Sequence, residues 1–170
     1  MTERLEGKIW KPSPEEIQRE DEWIKNQILE IGPDVLMELA KSASEIRGRA
    51  YQPYSNYSVG VSILTADGEV YSSINAETVT FTETDHAERS AITKAISEGA
   101  LERNGRKFIL ALAVSHSGVS DPCGGCRQRM TEHADNCITM DVDVEGNIQS
   151  ITSLKLLLPQ AFTPSHLGKD

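Results

Sequence analysis

The chain has 170 residues, 38% hydrophobic and 25% charged, a composition that fits one soluble globular domain with a sizeable core. Its net charge of −9, from 26 acidic against 17 basic residues with no long basic run, argues against a phosphate-backbone partner. No leader or membrane span is legible after the charged start Met1-Thr2-Glu3-Arg4, and three cysteines make no disulfide scaffold, so a cytoplasmic protein without membrane contact is expected.

Residues 1–33 read as an N-terminal helical extension. Ser13 is a cap candidate with Pro14 at the first helical position, and Ile17, Ile24, Ile28 and Ile31 form an apolar stripe that Gly32-Pro33 ends. Such a helix either packs on its own domain or docks a partner, with Trp10 and Trp23 as anchors in both cases. Residues 34–170 read as one further domain. A helix from Asp34 presents Val35, Leu36, Leu39, Ala40, Ala43 and Ile46 on one side and ends near Gly48. Pro53 breaks any continuation, Tyr57 to Leu64 reads as a strand, and Asp67-Gly68 turns it into an antiparallel partner, Glu69 to Ile74. A helix follows with Ala87, Ala91, Ile92, Ala95 and Ile96 at helical spacing, Thr84 or Asp85 as its cap and His86 in its first turn. The apolar run Phe108 to Ser115 has the character of a central strand. Cys123 begins a helix running to about His133, Cys137 to Val144 alternates as a strand, and Ile148 to Ile151 is a short last strand after the turn Glu145-Gly146-Asn147. Ser153 then caps Leu154 to Leu158 before Pro159. The sum is an α/β fold, a five-stranded mixed sheet with helices on both faces.

Two short stretches carry chemistry. Asp85-His86-Ala87-Glu88-Arg89 places an imidazole two residues before a carboxylate, and Pro122-Cys123-Gly124-Gly125-Cys126 supplies two thiols three residues apart. Alone, the second is as readily a redox pair or half of a structural zinc site, and the first a packed or surface histidine. In this order they form the H-x-E…P-C-x-x-C pattern of zinc-dependent nucleobase deaminases. His86, Cys123 and Cys126 are then three ligands of one Zn2+ per subunit, with the fourth tetrahedral position open. Glu88 is the catalytic carboxylate, near the metal without binding it. A structural zinc needs a fourth protein ligand, and Cys137, the other thiol, falls in a strand where a buried thiol is expected. Arg89 and Arg127 are either solvated or placed to offset thiolate charge, whereas His116, His133 and His166 lack ligand spacing and are expected in loops or on the surface.

From Asp34 to Leu167 the chain resembles the cytidine deaminase family. The resemblance rests on Ala50-Tyr51-x-Pro53-Tyr54-Ser55-x-Tyr57-x-Val59-Gly60, on Asn75-x-Glu77, on both zinc motifs through Arg89 and Gln128, and on Leu157-Leu158-Pro159-x-Ala161-Phe162. It implies a three-layer α/β/α fold and zinc-dependent hydrolytic deamination of cytidine or deoxycytidine, with ammonia released, in pyrimidine salvage. It implies that Asn75 and Glu77 bind the ribose 3'-hydroxyl, that Tyr57 lies beside the pyrimidine where the family usually has Phe, and that the Ala87 N–H faces the ring carbonyl. By the same resemblance the Asp121 carbonyl accepts from the substrate amine, and Phe162 reaches the site of a neighbouring subunit in a homo-oligomer. The short core between motifs points to a tetramer rather than a dimer, although His in the first ligand position is more typical of the dimeric branch. Three departures, Phe81 for the more frequent Tyr, Asp121 for a small hydroxyl residue, and Ser72-Ser73 before Asn75, leave a modified cytosine, free base or nucleoside antibiotic as alternative substrates.

Overall fold

The computed structural model describes residues 11–118 and 121–169. Five strands, β1 (Val59–Thr65), β2 (Val70–Ile74), β3 (Ile109–His116), β4 (Ile138–Val142) and β5 (Ile148–Ser153), form one sheet in the order β2-β1-β3-β4-β5. Only the β3–β4 pair is parallel, so the sheet is mixed as expected. The apolar run predicted as a central strand is the middle one.

Alternation along the strands sorts the core into two layers. Ala111 and Ala113 of β3 and Ile138, Met140 and Val142 of β4 face helix α2 (Pro33–Arg47), whose Leu36, Leu39, Ala40 and Ala43 are buried against them. Helix α1 (Pro14–Ile31) adds Trp23, Ile24, Ile28 and Ile31 to this layer. On the opposite face, Val61 and Ile63 of β1 and Leu112 and Val114 of β3 meet α3 (Ala87–Ser97), α4 (Ala100–Asn104), α5 (Gly124–His133) and α6 (Leu154–Leu157). Each large side chain buried this way contributes about 1.5–3 kcal/mol. Gly60 is required where α2 crosses β1, because a Cβ there would lie 2.2 Å from the Ala43 carbonyl oxygen and 2.6 Å from the Arg47 nitrogen.

The N-terminal helix begins as predicted, with a reciprocal capping box between Ser13 and Glu16. Glu20 ties it to the far end of the chain, accepting from Asn136 Nδ2 at 2.9 Å and from Ser153 Oγ at 2.8 Å. Ser153 itself caps α6 by accepting from the Leu156 N–H. Trp23 packs on the α2 layer, and Trp10 lies outside the described residues. No described helix is long and apolar enough to cross a membrane.

Boundaries differ from the sequence reading where tertiary contacts intervene. Strand β1 starts at Val59 rather than Tyr57, because the preceding residues are drawn into a loop held by Asn75 and Glu77. His86 is the N-cap of α3 rather than part of its first turn. Asp85 exchanges two backbone hydrogen bonds of 3.0 Å with Ala76, and that bridge keeps the chain extended up to His86, whose ψ is 139°. The short α4, opened by left-handed Gly99, had no periodic signal in five residues.

Candidate metal centre and active site

The ends of two helices and one strand converge on a single point. His86 caps α3 and Cys123 caps α5, both with extended backbone and neither spending its side chain on the cap, while Cys126 lies in the first turn of α5. His86 Nδ1 is 3.6 Å from Cys123 Sγ and 3.5 Å from Cys126 Sγ, and the three ligand atoms lie within 4.8 Å of one another. A tetrahedral zinc with Zn–S of about 2.3 Å and Zn–N of about 2.0 Å separates sulfur and nitrogen by ~3.5 Å, so the trio has the right spacing. Among the described residues no other group of three such side chains can hold a metal. Cys137 is fully buried, its thiol pushed up to about 12 by desolvation, and stands apart as an inert core residue.

Glu88 follows His86 on the first turn of α3 and is only 5% exposed. Burial raises the Cys126 thiol well above its ordinary range, and the Glu88 carboxylate and then Cys123 raise it further. Two buried acidic groups, Cys126 and Glu88, beside the exposed Cys123 thiol favour a divalent cation between them. Above α5, Arg89 reaches over Gly125, where an added Cβ would meet its Nη2 at 2.8 Å. Arg127 turns the other way, donating to the Pro122 carbonyl at 2.6 Å and the Leu157 carbonyl at 2.7 Å, with Nη2 3.6 Å from Asp121 Oδ2. It braces the approach to Cys123 against the C-terminal segment.

Beside the trio lies a cavity of about 270 Å³ lined by His86, Ala87, Glu88 and Cys123 on the metal side and by Ser55, Tyr57, Asn75, Glu77, His116 and Asp121 around it. A larger hollow of about 790 Å³, between α1 and the C-terminal segment, contains none of the metal-capable residues. The smaller one adjoins the metal-capable trio.

Asn75 and Glu77, both buried, organise the loop that forms the cavity wall. Glu77 accepts from the Tyr54 N–H at 3.0 Å, the Ser55 N–H at 3.2 Å and the Ser55 hydroxyl, and these donors hold its pKa below the usual range, the hydroxyl most. Asn75 accepts from the Val59 N–H at 2.8 Å and donates to the Tyr57 carbonyl at 2.9 Å. With Asn56 in a left-handed turn at φ 57°, this clamp fixes the backbone of Tyr57.

Of the sequence-predicted residues, Phe162 is not brought to this cavity. It is 57% exposed, its carbonyl accepts from Gln128 Nε2 at 2.6 Å, and its ring stacks on His166. Phe81 is also exposed, edge-on to Tyr54 at 5.9 Å.

Two histidines expected in loops or on the surface are buried instead. His133 packs on Phe108 at 4.9 Å, and His116, 2% exposed at the end of β3, lines the cavity. Its signal was present but faint, as the continuation of the Leu112, Val114 face at period two. Ser55 and Thr84 were missed as well. Thr84 lines the cavity, and its buried Oγ1 has no hydrogen-bond partner among the described residues.

A metal-capable trio beside a buried carboxylate, at the end of the central strand of a three-layer α/β/α fold, defines a zinc-dependent hydrolase site. Residues 34–140 match the family model of the cytidine and deoxycytidylate deaminase zinc-binding region, and the chain belongs to that family. A cytidine deaminase of Halalkalibacterium halodurans is 41% identical over 138 residues, covering 76% of this chain and 96% of the relative. One from Sporosarcina psychrophila is 35% identical over 132 residues, covering 76% and 93%. The solved cytidine deaminase of Burkholderia pseudomallei superimposes with a TM-score of 0.66 at 34% identity, over 74% of this chain and 97% of that one. Helix α1 lies before the matched region.

Proposed function

We propose that the protein deaminates cytidine or deoxycytidine hydrolytically, with one Zn2+ per subunit held by His86, Cys123 and Cys126. The observation that carries this is the spacing of 3.5 and 3.6 Å from His86 Nδ1 to the two thiols, next to a carboxylate that is buried but outside the trio. Zinc at such a site is a Lewis acid that makes water a nucleophile near neutral pH. Glu88 takes the proton of the attacking water, delivers it to ring N3 as C4 is attacked, and carries the next proton to the departing amine. Arg89, over the start of α5, offsets the charge of the two thiolates.

Asn75 and Glu77 present the oxygen lone pairs not used by the loop to the ribose 3'-hydroxyl. Tyr57 lies against the pyrimidine, the Ala87 N–H faces the ring carbonyl, and the Asp121 carbonyl accepts from the 4-amino group. A cavity of about 270 Å³ supports a nucleoside rather than a polynucleotide, and the net charge of −9 agrees. The departure at Asp121 gives little support to a modified substrate, since its half-exposed carboxylate leans toward Arg127. Phe162 completes the site of a neighbouring subunit in a homo-oligomer, a tetramer rather than a dimer. Its exposure, with that of Tyr51, Tyr54 and Phe81, supports this. Residues 1–33 form an extension attached to a catalytic domain of 34–170, in a cytoplasmic protein of pyrimidine salvage.

The test is loss of cytidine absorbance on adding zinc-loaded protein, with cytosine and a chelator-treated sample alongside. Zinc-dependent conversion of cytidine but not cytosine is expected. No conversion by fully metallated protein refutes the reading.

A further inference from the structure

His116 and Asp141 take no part in the chemistry assigned to the metal centre, yet the imidazole lines the same cavity. His116 is the last residue of β3 and stands opposite Val59, the first of β1. Its Nδ1 accepts from the Gly118 N–H at 3.1 Å, and its Nε2 lies 2.8 Å from Asp141 Oδ1 on β4, a close polar contact off the line of a hydrogen bond. The hydrogen bond from Gly118 and the close approach of Asp141 flank the imidazole at its two nitrogens.

A buried polar pair of this kind is a poor device for stability alone, because apolar residues of similar volume usually serve as well or better. It is a good device for fixing a ring in one orientation. Tyr57 stacks on that ring with centroids 6.1 Å apart and planes at 22°. The backbone of Tyr57 is already held by Asn75 and by Ser55, whose hydroxyl accepts from the Tyr57 N–H at 2.9 Å. Neither bond sets the direction of the phenol ring, which is partly open to solvent.

We propose that His116 is a positioning residue for the pyrimidine: tied by the Gly118 N–H at the end of β3 and stacked on Tyr57, it is the platform that sets the Tyr57 ring against the base. This rests on the reading of the cavity as a cytidine site with Tyr57 beside the base. In this role His116 acts through Tyr57, so its effect belongs to binding and not to proton transfer.

The substitution His116→Gln keeps a donor for Asp141 and removes the flat ring. In zinc-loaded protein it should raise KM for cytidine about threefold to tenfold, the scale of one aromatic contact, with kcat within about twofold and zinc still one per chain. Placed in a Tyr57→Leu background, the same change should alter KM by less than about twofold, because the partner it acts through is gone. The double variant His116→Phe/Asp141→Leu, which keeps a ring and removes both polar groups, should retain a near-wild-type KM. An unchanged KM in folded His116→Gln, or an equal rise in the Tyr57→Leu background, overturns the role. If His116→Gln does not fold, His116→Phe/Asp141→Leu against His116→Leu/Asp141→Leu makes the same comparison, and equal KM values overturn it. A zinc-loaded wild type that leaves cytidine untouched overturns the site reading and this inference with it. A wild type that works normally beside a neutral His116 variant overturns only the inference.

Discussion

Glu88→Gln is the substitution that separates proton transfer from everything else at the site. Glu88 is 5% exposed on the first turn of α3, and glutamine matches it in size, so no cavity opens and no neighbouring side chain must move. What disappears is a group able to accept and return a proton. General acid–base catalysis by one positioned group contributes about 10²- to 10⁴-fold, and Glu88 is asked to serve twice, at ring N3 and at the leaving amine. The upper end of that range applies, so kcat should fall about 10⁴-fold, or roughly 5.5 kcal/mol at 1.36 kcal/mol per decade. KM should stay within about threefold, since Asn75, Glu77 and Tyr57 stand on the loop and strand side of the cavity. Zinc content should remain one per chain, because the Glu88 carboxylate raises the Cys126 thiol and its removal does not weaken that ligand. The assay is cytidine absorbance at saturating substrate, with zinc measured by atomic absorption on the same preparation. A kcat within tenfold of wild type in fully metallated protein refutes the proton-carrier role, and loss of zinc together with activity refutes the placement of Glu88 outside the ligand set.

Thr84→Val is isosteric and removes the buried Oγ1 that has no partner among the described residues; it should raise KM for cytidine about fivefold at unchanged Tm, and an unchanged KM shows that the hydroxyl does not meet the nucleoside. Gly60→Ala forces a methyl against the Ala43 carbonyl and the Arg47 backbone, an overpacking that costs about 1–3 kcal/mol and should lower Tm by several degrees; an unchanged Tm refutes the close approach of α2 to β1. Asp67 is held below the usual carboxylate range, first by Arg103 and then by the Thr65 hydroxyl, so its folded pKa lies under its unfolded one. Its contribution is therefore present above the unfolded value and is lost as pH falls through the folded one. Wild type should melt above Asp67→Asn at pH 6, and the gap should narrow progressively as the pH is lowered below about 4; a gap as wide at pH 2 as at pH 6 contradicts this.

Most of the fold was legible because its elements announce themselves at the right period. The run Phe108 to Ser115 is apolar without alternation, which is what a strand covered on both faces requires, and β3 is the central strand. The ligand trio was legible for a different reason, since a tetrahedral metal needs its donors at fixed spacings and two of the three are three residues apart. The cavity wall was harder to read. Asn75 and Glu77 could be picked out, but their use in clamping residues 54–59 depends on contacts across some twenty residues of chain, which no local period reports. That clamp is also why β1 begins two residues later than its composition suggests.

The misplacement of His116 shows the same limit from another side. A histidine at the end of an apolar strand reads as the first residue of a loop unless its partner is known, and the partner, Asp141, belongs to a strand that joins β3 only through the α5 crossover. The crossover that brings Cys123 and Cys126 to His86 also brings β4 alongside β3, and so delivers Asp141 to His116. The metal-capable trio and the contact of Asp141 with His116 are therefore set by one connection. A change in the length of the β3–α5 segment would move both together, whereas substitutions at His116 or Cys123 move one alone. Zinc affinity and KM for cytidine should accordingly fall in step for variants of that segment and independently for the point variants.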